Sequence, residues 1–184
     1  MKKRLYEFIF YKLLGWKLIG NFDPEVKKCV IAVLPHTSNL DFFIGLLVRG
    51  IVNQQMNFVG KKELFMFPLG YYFRAIGGAP LDRSGGKNRV DAIVEVFNSR
   101  EIFRLGIAPE GTRKHVTEIR TGFYFIAHKA KVPIVPVAFD YSKKEVRVGA
   151  PFYTTGQIDL DMPKFLFFFH GVKGRFPEKQ FSKL

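Results

Sequence analysis

Cysteine is almost missing from this chain of 184 residues: Cys29 stands alone. One thiol cannot close an internal disulfide. Apart from His36, the histidines (His115, His128 and His170) have no metal-ligand spacing to one another or to Cys29, which argues against a zinc site. Set in the apolar run CVIAVL, Cys29 reads as a small hydrophobe, as a free thiol does in a reducing compartment. Long hydrophobic runs are lacking too, and no segment reaches the roughly 18 consecutive apolar residues of a membrane-spanning helix. The opening MKKRLYEFIFYKLLGWKLIG is basic and partly apolar, but Glu7, Lys12 and Lys17 interrupt it. With no small-residue cleavage site after it, this segment reads as retained. Neither a G-x-S-x-G elbow nor a phosphate-binding G-x-x-x-x-G-K-[ST] loop occurs. An enzyme built on this chain would therefore take its nucleophile from the substrate. Repeats, low-complexity tracts and Gly/Pro/Ser linkers are absent as well, so the length fits a single domain.

What the chain has in excess is positive charge, +13 overall. Residues 1–20 and residues 162–184 each hold five Lys or Arg against one Glu. Both ends are also rich in Phe, Tyr, Trp and Leu. Basic residues mixed with large apolar ones suit an anionic bilayer, where each contributes about 1 kcal/mol. Nucleic acid would accept such a patch too, and a merely basic soluble protein is the plainest alternative. With 47% hydrophobic residues, wholesale disorder is excluded.

Periodicity gives an alternating order of elements. Residues 4–19 have helical spacing. CVIAVL is a short continuous apolar run, as in a strand buried on both faces. A helix is expected over residues 39–52, a strand at MNFVG, then a short helical stretch up to Pro68 and another over residues 69–76. GGAPL is a further strand. Residues 86–99 form an amphipathic helix with Val90, Ile93, Val94 and Phe97 on one face. FRLGIAP is a strand, Phe123 to Lys131 a helix, and VPIVPVAF and EVRVGAPF a closing hairpin. The pattern predicts one α/β domain with a mostly parallel central sheet flanked by helices and an N-terminal amphipathic helix. Residues 1–20 are expected to be a membrane-docking helix and residues 21–184 the remaining domain.

Each early strand runs into a polar cluster: His36, then Lys61 and Lys62, then Asp82 and Arg83, then PEGTR. Ligands of open α/β sheets bind beyond the carboxyl ends of strands, so parallel strands would gather these clusters on one rim. Within VLPHTSNLDFF, His36 and Asp41 lie five residues apart. In mid-helix they would diverge by roughly 140° and could not pair. With His36 in a turn and Asp41 in the first helical turn, the carboxylate can fix the imidazole tautomer and leave a base. Ser38-x-x-Asp41 equally resembles a capping box, in which Asp41 serves only backbone donors. In IAPEGTRK, Gly111 permits close approach of the backbone, Thr112 offers a hydroxyl and Arg113 a fork suited to phosphate. Arg83 and Lys61 are further anion contacts. Glu110 suits the orienting of Arg113 or of a backbone donor.

Four blocks in order, HTSNLD (36–41), GGAPLDR (77–83), PEGTR (109–113) and VPIVPVAF (132–139), resemble the glycerolipid acyltransferase family. This family includes bacterial 1-acylglycerol-3-phosphate acyltransferase. The resemblance covers residues 28–140, with Pro35 where members often carry Asn. It implies acyl transfer from acyl-CoA or acyl carrier protein to a lysolipid hydroxyl, without metal or cofactor. By match, His36 would be the general base and Asp41 its partner, while Arg83, Glu110, Gly111 and Arg113 would hold the acceptor's polar head. The expected acceptor is 1-acylglycerol-3-phosphate. A lyso-aminolipid acceptor and a non-catalytic lipid- or nucleic-acid-binding module are the alternatives. Expected partners are the lysolipid, the thioester donor and an anionic membrane surface, with no nucleic acid. The expected location is peripheral, on the cytoplasmic side of the cell membrane.

Overall fold

A computed structural model of the chain describes residues 2–81 and 88–182. Helix α1 (Lys2–Glu7) continues as π-helical turns over Phe8–Leu13, and β1 (Lys17–Ile19) follows. Next come β2 (Lys28–Leu34), α2 (Leu40–Val52), β3 (Phe58–Lys61), α3 (Leu69–Ala75) and β4 (Gly78–Leu81). Then α4 (Arg89–Asn98), β5 (Phe103–Ile107), α5 (Gly122–Ala130), β6 (Ile134–Asp140), β7 (Glu145–Val148) and α6 (Ile158–Phe167) complete the order. A five-stranded sheet has the order β1-β7-β6-β2-β5, and β3 pairs with β4 in a second, two-stranded sheet. β2 is parallel to both β5 and β6, β3 is parallel to β4, and the β6–β7 hairpin is antiparallel. A parallel bridge between Asn57 and Leu105 sets the small sheet alongside β5 in the same direction. The ends of β2, β3, β4 and β5 therefore share one edge, as convergence of their polar clusters requires.

Alternation along β2 shows why its sequence is apolar throughout. Val30, Ala32 and Leu34 enter a core with Ile93 and Phe97 of α4, Tyr124 of α5 and Phe165 of α6. Cys29 and Ile31 face the opposite way, toward Phe10, Trp16 and the Ile44–Val48–Ile51 stripe of α2. Helices thus cover both faces, as a doubly buried parallel strand demands. Asn53 and Lys131, with φ of 51° and 53°, stop α2 and α5 in the left-handed conformation. Asn88 starts α4 by accepting from Val90 N at 3.1 Å.

Two expectations change. Helical structure from the N-terminus ends at Leu13, because Phe10 and Trp16 are buried and residues 17–19 add a strand to β7. The tail also forms a helix that periodicity did not indicate, α6, despite Pro163 inside it. Asp161 anchors α6 by accepting from Thr155 N at 2.7 Å and from Tyr124 Oη at 2.8 Å. Phe165, Phe169, Val172 and Phe181 are core residues, while Phe167 is exposed.

Candidate active site

The turn between β2 and α2 places His36 Nδ1 3.0 Å from Asp41 Oδ2. The same oxygen accepts from Ser38 N at 2.9 Å, and Leu40 N donates to Ser38 Oγ at 3.1 Å. The capping arrangement and the histidine partnership, alternatives in the sequence, coexist on one carboxylate. Tyr141, at the end of β6, donates its hydroxyl to Asp41 Oδ1 at 2.6 Å. Three donors thus hold a carboxylate that is almost fully buried. With Nδ1–H directed at Asp41, the imidazole keeps Nε2 as its basic nitrogen. Burial, and after it the bond to Asp41 and that group's charge, push the Tyr141 phenol above its ordinary range. It remains a donor at neutral pH.

Glu110 is only 2% exposed. Its Oε2 accepts from His36 N at 2.5 Å and its Oε1 from Phe181 N at 3.2 Å. Of the two orienting roles open in the sequence, the backbone donor is the one observed. Burial raises the Glu110 pKa above the usual carboxylate value, while the His36 and Phe181 amides pull it down. The tail supports the same turn from beneath. Phe176 N donates to Thr37 Oγ1 at 3.2 Å, and a Cβ on Gly174 would lie 2.8 Å from that oxygen.

The loop after β5 is closed over its own residues. Gly111 has φ of 65°, and a Cβ there would meet the Arg120 side chain at 2.6 Å. The close approach that Gly111 permits is therefore made by a guanidinium. Thr112 Oγ1 accepts from Lys114 N at 3.2 Å, a local turn bond. Arg113 reaches the rim of a mainly apolar cleft of about 250 Å³, which His36 and Asp41 also line. Ile31, Val33 and Phe139 from the sheet and Leu46 and Gly45 from α2 form much of its wall. Lys61 ends β3 on the same sheet edge. Arg83 lies outside the described residues. Among the described residues, no group of three or more His, Cys, Asp or Glu could hold a metal ion. Cys29, buried and with its thiol pushed up to about 12 by desolvation, takes no part.

The family model "Acyltransferase" matches residues 20–140, from just after β1 to the end of β6. The chain belongs to the acyltransferase family. An acyltransferase-family protein from Saccharomyces cerevisiae, 1-acyl-sn-glycerol-3-phosphate acyltransferase, is 32% identical over 144 residues, covering 73% of this chain and 46% of that protein. The Escherichia coli protein of the same name is 29% identical over 133 residues, covering 69% of this chain and 53% of its own length. The chain spans about half the length of the curated relatives it matches. A crystal structure of the 1-acyl-sn-glycerophosphate (LPA) acyltransferase PlsC from Thermotoga maritima superposes with a TM-score of 0.55 at 18% identity. It covers 90% of this chain and 73% of the other, and so shares the acyltransferase fold.

Tyr141, Arg120 and the tail are the parts of this acyltransferase-family site that sequence reasoning missed. For Tyr141 a signal exists: it follows directly on the strand block VPIVPVAF, whose end faces the histidine turn. For the tail there is none, since its contacts with Thr37 and Glu110 join residues far apart in sequence.

Proposed function

We propose that the chain is an O-acyltransferase, moving a fatty acyl group from acyl-CoA or acyl carrier protein to a lysolipid hydroxyl, with 1-acylglycerol-3-phosphate as the principal acceptor. The observation that carries this reading is a His36–Asp41 pair, the carboxylate buried and the imidazole partly exposed, lining an apolar cleft that Arg113 also lines. The acyl chain lies in the cleft. The acceptor hydroxyl gives its proton to His36 Nε2 as its oxygen attacks the thioester carbonyl. A C–O bond forms, the C–S bond breaks, and His36 returns the proton to the departing thiolate. Asp41 holds the ring in the Nδ1–H tautomer, and a base so placed contributes about 10²- to 10⁴-fold. Glu110 fixes the backbone that carries His36. Arg113, with Arg83 and Lys61, holds the phosphate of the acceptor, and much of the rate comes from this positioning.

The reaction as proposed uses no metal and no cofactor. No helix of the described residues is long and apolar enough to cross a membrane. The basic N-terminal helix, with Leu5, Phe8 and Leu13 exposed, supports peripheral attachment to an anionic bilayer, on the cytoplasmic face.

The test is thiol release from palmitoyl-CoA or an acyl carrier protein thioester, with a panel of lysolipids on vesicles. Transfer to lysophosphatidate that falls by about 10²- to 10⁴-fold in His36→Ala is the expected result. Transfer confined to a lyso-aminolipid keeps the mechanism and replaces the acceptor. No transfer to any acceptor from either donor overturns the reading.

A further inference from the structure

Residues 66–72 invert the usual rule of burial. Met66, Phe67, Leu69, Tyr71 and Tyr72 are between 57% and 85% exposed, Phe67 the most of all. Soluble monomers rarely leave such a contiguous apolar run in water without a use for it. Across from this segment, α1 and its π-helical continuation expose Leu5, Phe8 and Leu13 among Lys2, Lys3, Arg4 and Lys12. Between the two elements lies a recess of about 830 Å³, bordered by Tyr6 on one side and Tyr72 on the other. Lys2, Arg49 and Arg74 line it, and no acidic residue does. Arg49 donates to Ile76 O, and Arg74 donates to Phe65 O at 3.1 Å. A guanidinium carries five N–H donors, so these bonds anchor both forks without exhausting them. The acids of the neighbourhood are Glu7, which pairs with Lys3 at 3.9 Å, and Glu63, exposed in the turn before α3. Leu46, Arg49 and Ile76 are shared walls of this recess and the histidine cleft.

We propose that residues 66–72 and the N-terminal helix together form a bilayer-contacting face, and that the cationic recess between them receives the phosphate headgroups of anionic lipids. It rests on the lipid-acylating reading above. The pairing of exposed aromatics with cations favours a bilayer over a protein partner, because headgroup phosphates and acyl chains complement both at once. The face also sets lipid against the wall that the recess shares with the cleft, so a lipid acceptor need not cross bulk water.

Trp16 is the single tryptophan and is buried, so it is a silent background for a fluorescence probe. Phe67→Trp, with vesicles of phosphatidylglycerol and phosphatidylcholine carrying brominated acyl chains, should be quenched strongly while the parent protein is not. Phe67→Asp should weaken co-sedimentation with these vesicles by about tenfold. Arg74→Gln should lower the preference for anionic over zwitterionic vesicles by about fivefold. Phe67→Asp should also lose turnover on vesicles yet keep it with water-soluble short-chain substrates. An unquenched Phe67→Trp, or a Phe67→Asp protein that sediments like wild type, overturns the inference, as does binding to an acidic protein but to no vesicle. If quenching occurs but wild type transfers acyl to no acceptor, the surface stands and the enzymatic reading falls.

Discussion

The histidine turn and the segment before and within α3 border two neighbouring hollows that share Leu46, Arg49 and Ile76 as walls, and they break the same rule in opposite directions. The histidine turn buries Asp41 and, against its backbone, Glu110, and every oxygen of these two carboxylates has a donor. Residues 66–72 put aromatic and aliphatic groups outside, with water as their neighbour. Buried polar groups and exposed apolar runs are each unfavourable unless something uses them. Rigidity marks the first region, since five hydrogen bonds from three elements fix two side chains. Availability marks the second. On the reading proposed above, the contrast separates where bonds change from where the lipid arrives, and it can be attacked from either side.

The largest effect is expected at Asp41. Asp41→Asn puts an amide donor among the His36, Ser38 and Tyr141 donors, and kcat should fall by about 10²- to 10⁴-fold. Glu110→Gln follows. It cannot accept from both the His36 and Phe181 amides with the same ease, so stability should drop by about 1–3 kcal/mol. The shift of the His36 backbone should lower kcat by up to about 10²-fold. Its pH dependence is a separate readout. Because burial raises the Glu110 pKa, the folded chain binds a proton in the window where the unfolded chain has released it. That contribution to stability is therefore complete below the ordinary carboxylate value and is lost as pH rises through the raised one. Thermal unfolding across mildly acidic pH should show this falling limb in wild type and not in Glu110→Gln. Tyr141→Phe keeps the edge-on contact with Trp16 but removes one donor to Asp41, at a centroid distance of 4.9 Å for the rings. The loss should be about tenfold in kcat, equivalent to roughly 1.4 kcal/mol. The smallest change in stability belongs to Phe67→Asp, within about 0.5 kcal/mol by chemical denaturation. A large destabilisation there would mean that the segment is core after all.

Much of this architecture is legible in the amino-acid sequence. CVIAVL is a continuous apolar run, FRLGIAP and the hairpin blocks are short and rich in apolar residues, and all form strands at nearly the expected positions. Their polar endings make the shared edge predictable. Local spacing also suggests that Asp41 can turn back on His36. Other features cannot be read in this way because they depend on distant partners. β1 is three residues long and exists because β7 offers it an edge. α6 contains Pro163, and its Asp161 makes sense only beside Tyr124. Glu110 resembles a residue for a head group, yet its burial and its two amide donors make it a support for the histidine. No sequence period encodes a contact between residues 36 and 110.

Catalysis as proposed turns on Asp41 making Nε2 of His36 the basic nitrogen, and ¹⁵N NMR of histidine-labelled protein above the imidazole transition measures that directly. The predicted result is an Nδ1–H tautomer for His36 in wild type that is lost in Asp41→Asn. An Nε2–H tautomer in the wild-type protein would contradict it, since the nitrogen facing the cleft would then have no lone pair to accept the acceptor's proton.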